Sequence, residues 1–420
     1  MKYLKILCFL LLLTAIAYLM PRLSVAEPSR ECPNSTTHLL ELASKLRHLD
    51  ILEEVPCKLQ NIIEVETYLK QQIQKKGLLR QVPYEETVFK MIGIIPEDYN
   101  YTQGLINMYT SQLAGYYDKD NKFYAMADWI SPGAQIPITV HELTHSLQDQ
   151  HYDLTRLLDD EPATTDEALA RLALVEGDAT AVMFDYTNKK SGLPALAEQK
   201  SVSSFALSSI LSAIISTNSS DTPRSLQSLL IFPYLSGLGF VHAILVQDGY
   251  QAVDTMYSNP PKSTREILHP GKYFTRINSD TITEKTDSEI SATPRLINSK
   301  YNTPSVYTDT LGEFMISSLL NNFVSPIIAG QAAIGWKNDT LSLYQLSENP
   351  KKFLLVWDIT LETETDAETL FSSLSKAYTE RFYQTTKKNN NTLYFRNTVT
   401  NTEGYLSKDT SLTIKLEIIN

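Results

Sequence analysis

Apolar and polar residues alternate along this chain with two distinct periods, and the switch between them outlines its elements. From Ile138 to Leu147 the apolar positions recur at helical spacing, after a segment, Ala134 to Val140, in which Pro137 sits where a helix start best tolerates its missing N–H. That predicts a buried helix, which turns strongly polar from Gln148 to Asp153. Thr164-Thr165-Asp166-Glu167 has the form of a capping box and launches a helix from Ala168 to Tyr186, with Leu169, Leu172, Ala173, Thr180 and Met183 on its inward face. Between Leu113 and Met126 two short aromatic runs flank a polar turn, the pattern of a β-hairpin. Further helices are expected over Thr37 to Leu46 and Val65 to Lys76, and an apolar one over Ser201 to Ser220. A short one opens at Ser263-Thr264-Arg265-Glu266 and ends at His269-Pro270.

The pattern changes again after Pro304. A helix is expected from Thr310 to Phe323, strands at Leu341 to Leu346 and Phe353 to Leu361, and an amphipathic helix from Glu364 to Phe382. Strands follow at Leu393 to Arg396 and Leu412 to Ile419, with Asn389 to Asn391 marking a turn. The fold class is therefore α+β: a mainly helical unit with a small sheet or hairpin, followed by a C-terminal α+β module. Four segments result: a leader over 1–26, a helical region over 27–100, a unit over 101–307 that holds the chemistry, and a helix with the α+β module over 308–420.

The leader reading rests on Lys2 and Lys5 ahead of an apolar run from Ile6 to Met20, closed by the small residues Ser24-Val25-Ala26. Cleavage before Glu27 sends the chain to a secreted or periplasmic, extracytoplasmic compartment; an uncleaved leader would instead anchor it in a membrane. Two cysteines then remain, Cys32 and Cys57, and an oxidising compartment lets them pair in one disulfide. The net charge is −11, and loss of Lys2, Lys5 and Arg22 with the leader takes it to −14, which argues against nucleic acid as a partner.

The chemistry centres on His141-Glu142-Leu143-Thr144-His145. Positions i and i+4 stack on one helix face, so the two imidazoles can hold one metal ion while Glu142 leans over the same opening. A hydrolytic zinc site takes a third protein ligand and keeps a fourth position for water. Glu176 fits that need, because a carboxylate on an otherwise apolar helix face is costly to bury unless it is paired or binds metal. The expected cofactor is one Zn²⁺ per chain, held by His141, His145 and Glu176. Glu142 is then the general base that takes a proton from water and returns it to the leaving amine. Serine catalysis has no support, since no Gly-x-Ser-x-Gly elbow is present.

HELTH followed by Val175-Glu176-Gly177-Asp178-Ala179 resembles the gluzincin metallopeptidases, in which two HExxH histidines and a later glutamate bind zinc. The likeness extends over about Leu105 to Ala377, through His141 to His151, Phe232-Pro233-Tyr234, Ser263 to Pro270 and Gly335-Trp336, to a group of bacterial secreted metallopeptidases. It implies a zincin-like catalytic unit acting on a protein or peptide substrate, with the hairpin offering an edge strand to an extended peptide. The chain departs from the best-known pattern: four residues after the ligand glutamate stands Thr180, so Asp178 or Asp149 are left as partners for the histidines' outer nitrogens. The oxyanion donor is sought among Tyr234, His242, His269 and Tyr273, with His269 favoured because the end of its short helix fixes the ring. The alternative is a catalytically silent zincin-fold protein of the cell envelope that binds zinc or another protein.

Overall fold

The computed structural model describes residues 32, 36–75, 82–112, 115–128, 132–160, 164–202, 222–280, 304–346, 349–382, 384–409 and 412–420. The expected leader and all but the first two residues of the expected Ser201 to Ser220 helix lie outside them. The chain opens with α1 (Thr36–Arg47), β1 (Cys57–Gln60), α2 (Ile62–Lys75), α3 (Val82–Ile92) and α4 (Tyr101–Gln112). The hairpin follows as β2 (Gly115–Asp118) and β3 (Phe123–Ala127), and then two long helices, α5 (Pro132–Tyr152) and α6 (Thr165–Lys190). Next come α7 (Arg224–Ser258), α8 (Thr264–Leu268) and α9 (Pro270–Asp280). The C-terminal part comprises β4 (Tyr307–Asp309), α10 (Gly312–Leu320), α11 (Pro326–Ala333), β5 (Trp336–Gln345), β6 (Phe353–Leu361) and α12 (Glu364–Arg381). It ends with β7 (Gln384–Asn389), β8 (Thr392–Asn397), β9 (Thr402–Lys408) and β10 (Thr413–Ile419). The class is α+β.

Two sheets frame the helices. The small one has the order β1-β3-β2, with β1 parallel to β3 and β2 antiparallel at the edge, Tyr117 opposite Tyr124. Its strands β2 and β3 are buried along their whole length, which is why they read as continuous aromatic runs and not as alternation. A disulfide joins Cys32 to Cys57 at the start of β1 and ties the segment before α1 to this sheet. The large sheet has seven strands in the order β4-β5-β6-β10-β9-β8-β7.

Pro137 does not start the zinc-motif helix. That helix begins at Pro132 and carries Pro137 inside it, within its first two turns, where the missing N–H forfeits little of the helical ladder. The polar residues Gln148 and Asp149 near the end of this helix are buried. Thr164 caps α6 as expected, its hydroxyl accepting from the Glu167 N–H.

Three buried carboxylates tie the starts of α6, α8 and α10 to neighbouring elements. Asp309 accepts from the Thr165 backbone N–H at 2.9 Å and from the Tyr307 hydroxyl at 2.8 Å, and it also binds the Thr165 hydroxyl. Asp166 accepts from the Thr264 N–H at 2.9 Å. Asp339 accepts from the Leu311 and Gly312 N–H groups and from both Trp336 and Trp357 indole nitrogens, all at 2.8–3.0 Å. One hydrophobic cluster runs from Leu39 to Ile418, so the C-terminal sheet and the helices share a core.

Helix α7 is apolar on nearly every side and kinks at Gly249, which is why no amphipathic period announces it. It is the one helix among the described residues long and apolar enough to cross a membrane, with a mean hydropathy of 2.0 in its most apolar window. Of that window, 67% is buried inside the protein against α6 and its neighbours. The two helices meet at glycines: a Cβ added at Gly177 would lie 2.3 Å from the Gly237 backbone, and one at Gly237 only 2.1 Å from the Ala173 carbonyl oxygen. Any side chain there would force α7 away from the segment that carries Glu176.

Candidate metal centre

Helix α5 presents His141 and His145 one turn apart, their ring centroids 4.6 Å apart and their planes at 89°. Helix α6 crosses this face and points Glu176 between them. The three donor atoms converge: His141 Nε2 lies 3.2 Å from Glu176 Oε2, His145 Nε2 lies 3.4 Å from the same oxygen, and the two Nε2 atoms are 3.1 Å apart. Among the described residues this trio is the one group of histidine, cysteine or acidic side chains gathered closely enough to hold a metal ion.

The donor set fits zinc. Nitrogen and oxygen ligands at ~2.0–2.1 Å around a tetrahedral ion stand about 3.3 Å from one another, close to the three separations found. All three side chains are 1% exposed or less, and Glu176 Oε1 is buried without a hydrogen-bond partner. A carboxylate buried so completely, with one oxygen left unbonded, is stabilised by a cation beside it. In the metal-free chain that role falls to the imidazoles: burial disfavours a charged His145, but the Glu176 carboxylate outweighs it and raises His145. Burial holds His141 below the ordinary histidine range. Burial raises Glu176, and the charge and hydrogen bonds of His145 and His141 together outweigh it and hold Glu176 low.

Glu142, between the two histidines in sequence, is equally buried, and its Oε2 has no partner. Burial pushes its carboxyl up to about 8, against the lowering effects of His145 and of a backbone hydrogen bond from Tyr117. That backbone contact brings edge strand β2 against the carboxylate. A buried carboxyl with a raised pKa next to a trio able to hold a metal ion has the properties of a general base.

Of the acids expected behind the histidines, neither touches a ring. Asp178 is reached through Gln148, whose side chain lies 2.8 Å from His145 Nδ1 and donates to Asp178 at 3.0 Å. Asp149 instead fastens the hairpin to α5, accepting from the Tyr117 hydroxyl at 2.9 Å and from Lys122 Nζ at 2.6 Å. Gln148 went unnoticed in the sequence, although a residue three positions after His145 necessarily shares its helix face.

The favoured oxyanion donor, His269, is paired with Glu313. It caps the end of α8 with Nε2 2.7 Å from Glu313 Oε1. Helix α8 is bound through Thr264 to Asp166, ten residues before Glu176 on α6, which corresponds to about 15 Å of helical rise. A histidine at a helix end is placed by local capping and its ion pair, and a motif in sequence cannot say which end of a long helix that pair adjoins. His242 bonds to the Gln199 carbonyl and Tyr273 donates to the Asn259 carbonyl. Tyr234, on α7, is the candidate beside the ligands: its ring centroid is 6.1 Å from that of His141.

A family model for a domain of unknown function (DUF8575) matches residues 300–413, which carry most of the large sheet and none of the metal-site residues. Neither the curated proteins nor the solved structures include a match to this chain.

Proposed function

We propose that this chain is a secreted zinc-dependent metallopeptidase that hydrolyses peptide bonds. The observation that carries the reading is the convergence of His141, His145 and Glu176 donor atoms within 3.1–3.4 Å, with Glu142 beside them. His141, His145 and Glu176 would hold the zinc ion, which would supply Lewis acidity toward water and a substrate carbonyl. Glu142 accepts a proton from the attacking water and delivers it to the leaving nitrogen, as the new C–O bond forms and the C–N bond breaks. Tyr234 takes the part of hydrogen-bond donor to the developing oxyanion, in place of His269. Strand β2, whose backbone reaches Glu142, offers an edge along which an extended peptide can add. The leader-like start of the chain and the Cys32–Cys57 disulfide support an extracytoplasmic location.

A second reading, a zinc-holding envelope protein without turnover, has one observation in its favour: His141, Glu142, His145 and Glu176 are all almost inaccessible to solvent. Incubation of the zinc-loaded chain and of Glu142→Gln with a mixed peptide library separates the two. The peptidase reading expects cleavage by the wild type and none by the variant. Zinc binding with no cleavage by either, across pH 5–9, supports the silent protein instead.

A further inference from the structure

We infer that Gln148 is the positioning residue of the metal centre: its amide sets the tautomer and orientation of His145 and links that ligand to Arg47 on the N-terminal helix. The inference rests on the zinc reading above.

The orientation of the amide follows from its neighbours. The Gln148 nitrogen faces two acceptors, the Val175 carbonyl oxygen at 3.0 Å and Asp178 Oδ2 at 3.0 Å. Only the NH₂ end can serve both, so Oε1 must be the atom 2.8 Å from His145 Nδ1. An amide oxygen can only accept. His145 Nδ1 therefore carries a hydrogen, which leaves Nε2 as the atom that faces the cluster and would ligate a metal.

Asp178 is fixed in turn. Its Oδ2 also accepts from the Tyr257 hydroxyl at 2.8 Å, and its Oδ1 accepts from Arg47 Nε at 2.7 Å. Arg47 is fully buried and donates through its NH1 nitrogen to Asp254 at 2.7 Å, an acid that also takes the Tyr152 hydroxyl at 2.7 Å. The carboxylate that orients Gln148 thus has its charge balanced from α1. The relay runs His145, Gln148, Asp178, Arg47, and each hydrogen bond in it is 3.0 Å or shorter. Its consequence is that α1 belongs to the working metal centre.

The test uses the full mature chain and three proteins: wild type, Gln148→Met, which keeps the side chain's shape and removes both polar atoms, and Gln148→Glu, which keeps an acceptor for Nδ1. Zinc affinity is read by competition with a chromophoric chelator, and ligand geometry by the visible spectrum of the cobalt(II)-loaded protein, with far-UV circular dichroism to verify folding. Weakening of zinc binding by 10–100-fold in Gln148→Met with an altered cobalt spectrum is expected, and a smaller loss in Gln148→Glu, which keeps the acceptor for Nδ1 but loses the donor to Asp178. The inference is overturned if the Met variant binds zinc as wild type does with an unchanged spectrum, or if both variants are weakened equally, which would make the residue a packing element alone. A wild-type chain that takes up no zinc would overturn the zinc reading itself, and the relay with it.

Discussion

At the scale of single residues, burial decides what each polar group does. Tyr234 lies beside His141 within the core, while His269 spends its ring on Glu313. Tyr234→Phe removes only the hydroxyl, so kcat should fall about 10²–10³-fold with KM little changed; an unchanged kcat removes Tyr234 from the oxyanion role. Glu85 shows the same logic away from the site. It is buried, accepts from the Tyr101 hydroxyl at 2.7 Å, and burial pushes it up to about 8. The folded chain then holds a proton that the unfolded chain releases near the ordinary value of 4.5, so this group's stabilising contribution is full below that pH and is lost as pH rises through about 8. Glu85→Gln should match wild type near pH 5 and exceed it at pH 9, by at most about 5 kcal/mol in urea unfolding. Parallel stability curves for the two proteins would contradict the assignment.

At the scale of elements, the site depends on how closely α6 and α7 approach. Gly177 stands next to Glu176 and meets the Gly237 backbone. Gly177→Ala should cost at least about 1–3 kcal/mol and weaken zinc binding together with stability, since the separation it forces moves the third ligand. Retention of both would show that the contact is slack. Much of this was legible in the sequence. The HELTH spacing, the Thr164 capping box and the inward Glu176 announce the two ligand-bearing helices and the donor trio, because helical period and capping are local properties. Strands β2 and β3 announced themselves through their aromatic runs, and β6 spans Phe353–Leu361 as its alternation predicts. Helix α7 did not, because a segment buried on most sides carries no amphipathic period, and Gly249 interrupts it. Strand β1 has four residues and gains its identity only by pairing with β3. The Gln148 relay was hidden for a different reason: Asp178 and Arg47 lie 131 positions apart, and only the fold brings them together.

At the scale of the whole molecule, the metal centre is a product of the entire chain. Arg47 reaches it from the N-terminal helix, Asp309 on β4 fastens the start of α6, and Asp339 fastens the start of α10 to the large sheet. With one core running from Leu39 to Ile418, urea unfolding of a Trp129→Phe variant followed by tryptophan fluorescence, which then reports on Trp336 and Trp357 of the large sheet, should coincide with unfolding followed by far-UV circular dichroism, which is dominated by the helices. Two separated transitions would show that the sheet folds apart from the site. The central claim is that His141, His145 and Glu176 together hold zinc, and elemental analysis of the purified mature chain tests it most directly. One zinc per chain is expected in wild type and in Glu142→Gln, with little or none retained by Glu176→Ala or His145→Ala after dialysis against a mild chelator. A chain that carries no zinc, or whose zinc survives the loss of these ligands, would contradict it.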